Sequence, residues 1–224
     1  MSAAVSTVVE GWDVLAPPVA EHFAAALRGE PCDIVGLGPA PLPLPVGVWS
    51  AAVSDTDRAV LAHCRGATLD IGCGPGRMSA HLADLGLPVG GIDVVPDAVA
   101  LTRGRGVPAW QADVFGPVPG EGTWETALLA DGNIGIGGHP VGLLRRVSSL
   151  LVTGGRVVAD LAPYGVGLRR RSVRLRTSTG TSPAFAWAVV GADAVGAVAE
   201  QAGLTLLERH EYAGRWCAVL EVTG

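Results

Sequence analysis

The chain has 224 residues, 49% hydrophobic and 17% charged, the composition of one globular domain with a well-buried core. Its formal net charge of −5 argues against a nucleic-acid partner, because phosphate backbones are gripped chiefly by Lys and Arg. All 16 basic residues are Arg, so there is no Walker-type phosphate lysine, no Schiff-base lysine and no Tyr/Lys hydride-transfer pair.

No apolar run approaches the ~18 residues that span a bilayer, and no membrane partner is expected. Glu10 and Asp13 stand where a secretory leader would carry a basic start and an apolar stretch, which makes a cytoplasmic protein the expectation. Cys32, Cys64, Cys73 and Cys217 form no CxxC pair and no zinc-like spacing with His, and are expected as free thiols with no metal.

In chain order, Val8, Val9, Trp12 and Leu15 recur at helical spacing, Pro17-Pro18 interrupts, and Val19, Phe23, Ala26 and Leu27 resume the pattern. Residues 31–45, crowded with Pro and Gly, are expected to run extended over the surface. Residues 1–50 are thus set apart as a helical and proline-rich cap segment, and residues 51–224 as the main domain. A helix is expected over 55–65, capped by Ser54 or Asp55. Strands over 67–71, 89–93, 107–112, 126–130 and 155–160 alternate with helices over 77–85, 96–103 and 141–151. Pro96 and Pro140 open two of those helices. Alternation of this kind predicts a parallel sheet with right-handed crossovers and helices on both faces. Beyond Asp160 the pattern changes. Residues 172–176 and 184–190 read as an antiparallel pair inserted before a helix over 193–202, and 204–210 with 215–222 as a terminal hairpin.

The chemistry sits at the turns. Asp70-Ile71-Gly72-Cys73-Gly74-Pro75-Gly76 ends the first strand in three glycines that allow positive φ and close approach to a ligand. A dinucleotide would place its pyrophosphate at this turn, where the Asp70 carboxylate repels it; a ligand with an ammonium group would be attracted. Asp93, twenty-one residues beyond Gly72, suits a ribose diol. Asp113, in Gln111-Ala112-Asp113-Val114-Phe115, stands at a third strand end, where an adenine edge could be read. An ammonium, a ribose and an adenine together describe S-adenosylmethionine (SAM) better than NAD.

LDIGCGPG, GIDVVPDAV and QADVF, in that order and spacing, resemble the nucleotide-binding motifs of the class I SAM-dependent methyltransferases. The resemblance covers roughly residues 60–222. It implies a Rossmann-like, seven-stranded, mostly parallel sheet whose last strand enters antiparallel, with an N-terminal helical cap over the open end of the pocket. SAM is then the cofactor and S-adenosylhomocysteine the product. Carried onto this chain, Asp70, Gly72, Cys73, Gly74 and Gly76 would surround the methionine end. Asp93 and Val94 would hold the ribose, Asp113 and Val114 the adenine, and Asp131 and Gly132 lie just after the fourth strand. Trp12, Phe23 and Trp49 are candidates for the substrate side, with stapling of the cap onto the core as their competing role.

The acceptor is a small molecule on this reading, with a secondary metabolite as one such class. The turn after the fourth strand, Asp131-Gly132-Asn133-Ile134, lacks the Asp/Asn-Pro-Pro-aromatic motif with which amino-methylating DNA enzymes of the superfamily hold a flipped base. His139 is the candidate general base, able to titrate near neutrality, or else the cap of the helix that Pro140 opens. Asn133 is the candidate to orient an acceptor group, or else serves the local backbone. Arg169, Arg170, Arg171, Arg174 and Arg176 form either an anion-holding stripe or a solvated face. Two other functions compete. One is an NAD(P)-dependent oxidoreductase, although Arg77 stands where its third glycine belongs; the other is a SAM-binding module without catalysis.

Overall fold

The computed structural model describes residues 17–223. The helical pattern expected around Trp12 lies outside them. The elements run α1 (Pro17–Leu27), β1 (Asp33–Val35), β2 (Leu42–Pro43), α2 (Val46–Ser50), α3 (Asp55–Leu61), β3 (Thr68–Ile71), α4 (Arg77–Asp84), β4 (Val89–Asp93), α5 (Pro96–Gly104), β5 (Ala109–Gln111) and β6 (Trp124–Leu129). After a 3-10 turn (Asn133–Gly135) follow α6 (Pro140–Leu150), β7 (Leu151–Leu161), β8 (Leu168–Thr177), β9 (Gly180–Thr181), β10 (Phe185–Val190), α7 (Val195–Ala202), β11 (Leu204–Tyr212) and β12 (Arg215–Val222).

Seven strands form the main sheet in the order β11-β12-β7-β6-β3-β4-β5. From β7 to β5 all pairings are parallel, whereas β12 enters antiparallel between β7 and β11. The central strands are buried on both faces: Thr68 to Ile71 are all buried, and so are Thr126 to Leu129. Continuous apolar runs such as Ala127-Leu128-Leu129 serve such a strand, because helices cover each side. One core packs Leu143, Leu144 and Val147 of α6 with Val195 and Val198 of α7 against the sheet. A second packs Val60 and Leu61 of α3 with Met78 and Leu82 of α4 against the other face. Helix α3 begins with a reciprocal cap. The Ser54 hydroxyl accepts from the Asp57 N–H at 3.1 Å, and the Asp57 carboxylate accepts from the Ser54 N–H at 2.7 Å.

Residues 31–45 do more than run over the surface. β1 and β2 join β8 and β10 in a second, antiparallel sheet of order β10-β8-β1-β2, with β9 beside β8. Asp33-Ile34-Val35 is too short to announce a strand in sequence; the free edge of β8 makes it one. The cap is therefore assembled from two stretches more than a hundred residues apart in the chain. Its own small core holds Val19, Cys32, Val173, Leu175 and Phe185, and α1 links it to α5 through Ala24, Val95 and Ala98.

Candidate active site

At the carboxyl ends of the parallel strands, beneath the cap, lies a cavity of about 410 Å³. Its floor is made by strand tips, where ligands of open parallel sheets bind. Gly72, Gly74 and Gly76 all take positive φ (71°, 54° and 80°). At Gly72 a side chain would also collide, since a Cβ there would stand 2.7 Å from the Asn133 amide nitrogen. The Gly74 N–H donates to the Asp93 carboxylate at 3.0 Å, so the first two motifs are tied to each other directly.

Asp70 is 2% exposed and faces the cavity. Burial pushes its carboxyl up to about 7, and the Ser79 hydroxyl, donating at 2.5 Å, works in the opposite direction. Burial likewise raises Asp93, against the backbone N–H groups of Val95 and Gly74. Asp113 turns back to accept from the Phe115 N–H at 2.9 Å. Burial drives the Cys73 thiol up, so it stands in the glycine turn as a small neutral group.

Of the residues expected at the cofactor, Asp70, Gly72, Cys73, Gly74, Asp93, Val94, Asp113, Val114 and Asp131 line the cavity. Gly76 and Gly132 are not in its wall. Gly76 precedes α4 as its N-cap, packed against Thr102, and Gly132 takes φ 85° at the start of the 3-10 turn. The two residues expected at the acceptor differ in placement. His139 does not line the cavity; its Nδ1 accepts from the Gly142 N–H at 2.9 Å and caps α6. An acceptor nitrogen carries no proton, so in the neutral ring the proton is on Nε2. Of the two roles open to it from sequence, the structure gives it the cap. Asn133 does line the cavity, but its amide donates to the Ile71 and Gly72 carbonyls at 2.9 and 3.0 Å. It clamps the glycine turn.

One group of residues was not legible in sequence. Arg77 of α4 pairs with Asp57 and, at 2.8 Å, with Asp131. Arg215, at the start of β12, pairs with Asp57 and Asp160 and reaches Asp131 at 3.4 Å. The Asp131 N–H donates to Asp160 at 2.6 Å, which holds Asp131 at φ 52°, a conformation an L residue rarely adopts. Burial opposes charge at Asp57, yet the bonds from Arg77 and Ser54 hold its carboxyl well below the usual range. Burial also opposes charge at Arg215, and the carboxylates of Asp160, Asp131 and Asp57 together outweigh it. Three acids and two guanidiniums thus lock α3, α4, the end of β6, β7 and β12 together, with Arg77 and Asp131 in the cavity wall. With Arg215 on Asp160 and both guanidiniums on Asp131, these two carboxylates are committed to ion pairs rather than offered to a metal.

The opposite wall comes from the cap. Ile34, Leu37, Leu44, Trp49, Phe185 and Trp187 face the cavity together with Phe23, and none of the cap residues that line it is charged. The arginines of β8 lie outside it. Arg176 pairs with Asp33 at 2.8 Å, and Arg174 donates to the Ser182 carbonyl.

A glycine turn, an acid at the next strand tip and a third acid beyond it stand on this sheet order with an inserted antiparallel strand, the arrangement expected from the sequence motifs. Residues 69–121 match the family model described as a methyltransferase domain. No curated protein matches the sequence. Solved structures that share the fold include a SAM-dependent methyltransferase from Bacteroides fragilis in complex with S-adenosylhomocysteine, at TM-score 0.77 and 21% identity, covering 92% of this chain and 95% of that one. Another is the 1,6-didemethyltoxoflavin-N1-methyltransferase of Burkholderia thailandensis, with its acceptor and S-adenosylhomocysteine bound, at TM-score 0.59 and 18% identity over 88% of this chain and all of that one. A third is an amino pentose methyltransferase from Micromonospora echinaspora, at TM-score 0.54 and 20% identity over 75% and 88%. Residues 69–121 thus carry a methyltransferase-domain match, set on a fold that solved SAM-dependent methyltransferases share.

Proposed function

We propose that the protein methylates a small, uncharged and largely apolar acceptor held between the cap and the strand tips. The observation that carries this is the polarity split of the cavity: its carboxylates stand at the strand tips, and the cap contributes Phe23, Trp49, Phe185 and Trp187 without a charge. Such a wall buries an apolar ring at about 25 cal/mol per Å² and leaves a charged acceptor unpaired. The bound cofactor supplies an electrophilic methyl group on a sulfonium. The chain's own residues do the rest. Asp70 is the carboxylate suited to the ammonium, Asp93 to the ribose hydroxyls, and Val94, Val114 and Phe115 form apolar surface suited to the adenine.

With His139 engaged as a helix cap, the cavity wall contains no histidine among the described residues. An acceptor that needs no strong base, such as a neutral nitrogen or an acidic hydroxyl, fits this wall best, and catalysis rests on in-line positioning and exclusion of water. Small neutral ring compounds such as the one bound in the didemethyltoxoflavin enzyme, and neutral secondary metabolites in general, are the class to screen. The test begins with calorimetric titration of SAM, S-adenosylhomocysteine and NADH, with Asp93→Ala alongside. Micromolar binding of the first two, lost in the variant, supports the reading. Tight NADH binding without SAM binding would overturn it in favour of an oxidoreductase. SAM binding with no methyl transfer across a broad acceptor panel would leave a binding module.

A further inference from the structure

Away from the cavity wall, four side chains that methyl transfer does not use meet between α3 and the sheet edge. His63 stands in the turn after α3, and Glu208, His210 and Tyr212 alternate along β11. A β-bulge brings them there. Leu206 pairs with Leu220 but Glu208 with Val219, so Leu207 is an extra residue and the parity of the strand flips. Leu204 and Leu206 therefore pack towards α7, and Tyr212 packs beside α3. Without the bulge the two histidines would lie on opposite faces of the sheet.

The Glu208 Oε2 lies 2.8 Å from His210 Nε2 and 3.6 Å from His63 Nδ1. One donor atom from each of the three residues falls within 4.8 Å of the others, and the two imidazoles are stacked at 4.4 Å. The Tyr212 hydroxyl sits 2.8 Å from His63 Nε2. If it accepts the Nε2 proton, the lone pair of that ring is on Nδ1, facing the carboxylate, which is how outer partners orient metal-binding histidines.

We propose that His63, Glu208 and His210 form a binding site for a zinc-type divalent cation, which staples the α3–β3 turn to the terminal hairpin. Two imidazoles with one carboxylate suit zinc and its neighbours rather than calcium or magnesium, which take oxygen donors. The stacked rings must turn about χ2 for their lone pairs to converge. Side-chain exposures of 16%, 49% and 32% for His63, Glu208 and His210 leave room for that, and for water in the open position. Arg156 acts electrostatically on both His63 and Glu208 and works against a cation. Glu208 is the group that offsets it, so its charge matters as much as either ring. The same hairpin carries Arg215, and the ion would stiffen the strand pair that anchors the charge lock.

The experiment uses the full chain stripped by chelator and titrated with zinc by calorimetry, with a melting curve at each stage. One zinc per chain is expected, bound at micromolar level or tighter, with a rise in Tm. Binding should weaken by at least ~10-fold in each of His63→Gln, Glu208→Gln and His210→Gln, and stay unchanged in Glu211→Gln on the same strand. Absence of saturable binding would overturn the site, as would binding that survives the double His63→Gln/His210→Gln substitution. If a variant fails to fold in chelator, cobalt absorption of the unaltered protein decides. Strong visible bands of a low-coordinate nitrogen site support the proposal, and a weak six-coordinate spectrum contradicts it. SAM binding is read separately, so loss of one site does not imply loss of the other.

Discussion

Asp70 meets two opposing demands. Its β3 neighbours bury it, which favours the neutral acid, and the ammonium proposed to sit beside it favours the carboxylate. With its carboxyl pushed up to about 7, the ligand-free protein binds a proton there that an ammonium would expel. SAM affinity is therefore expected to fall by up to about tenfold for each pH unit below about 7, and to level off above it until the ligand's own amine titrates near ~8. Calorimetry across that range checks it, and Asp70→Asn should abolish the dependence along with most of the binding. The sign for stability is opposite to that of a salt-bridged acid. A raised carboxyl pKa costs nothing below the ordinary carboxylate range, and the cost grows until it is full above about 7. Ligand-free Asp70→Asn should thus melt higher than the unaltered protein near pH 8 and equally near pH 4. Asn133 acts at the same scale by holding two carbonyls of the turn. Asn133→Ala is expected to weaken SAM about tenfold, the loss of one to two net hydrogen bonds, with modest change in Tm.

Among the elements, the glycine turn and the charge lock each join strands that composition alone would leave independent. Gly72→Ala meets both a positive φ and the Asn133 amide, and should lower stability by ~1–3 kcal/mol in thermal melts and abolish SAM binding. Arg215 is the centre of the lock, with Asp57 and Asp160 side chains only 5% and 7% exposed. Replacing it by Met leaves Asp160 without a guanidinium and Asp57 with Arg77 alone, and a loss of ~3–5 kcal/mol is expected in denaturant unfolding. Asp57, held low by its partners, contributes stability that is present above the ordinary carboxylate range and lost as pH falls below it.

For the molecule as a whole, the proposed function assigns cofactor and acceptor to different layers. The main sheet offers carboxylates and glycines; the cap sheet offers aromatic and aliphatic side chains. Trp187→Ala should therefore raise the acceptor KM about tenfold or more with SAM affinity nearly unchanged, a split that steady-state kinetics and calorimetry separate. No described helix is long and apolar enough to cross a membrane.

Local signals determined the sheet, its glycine turn and the acids at its strand tips. Strand β3, the turn after it and β4 follow one another within about thirty residues, and hydrophobic period, glycine spacing and strand-end acids are properties of neighbours in sequence. What only the tertiary structure decided joins residues far apart. Asp33-Ile34-Val35 became a strand through β8, Arg215 found Asp57, Asp131 and Asp160, and a single bulge in β11 turned His210 towards His63. His139 belongs with these. A histidine before a proline at a glycine-rich turn has the same sequence whether it caps a helix or faces a ligand, and only the bond to the Gly142 N–H distinguishes the two. Pairings of this kind depend on chain closure and packing, and leave no periodicity in the sequence.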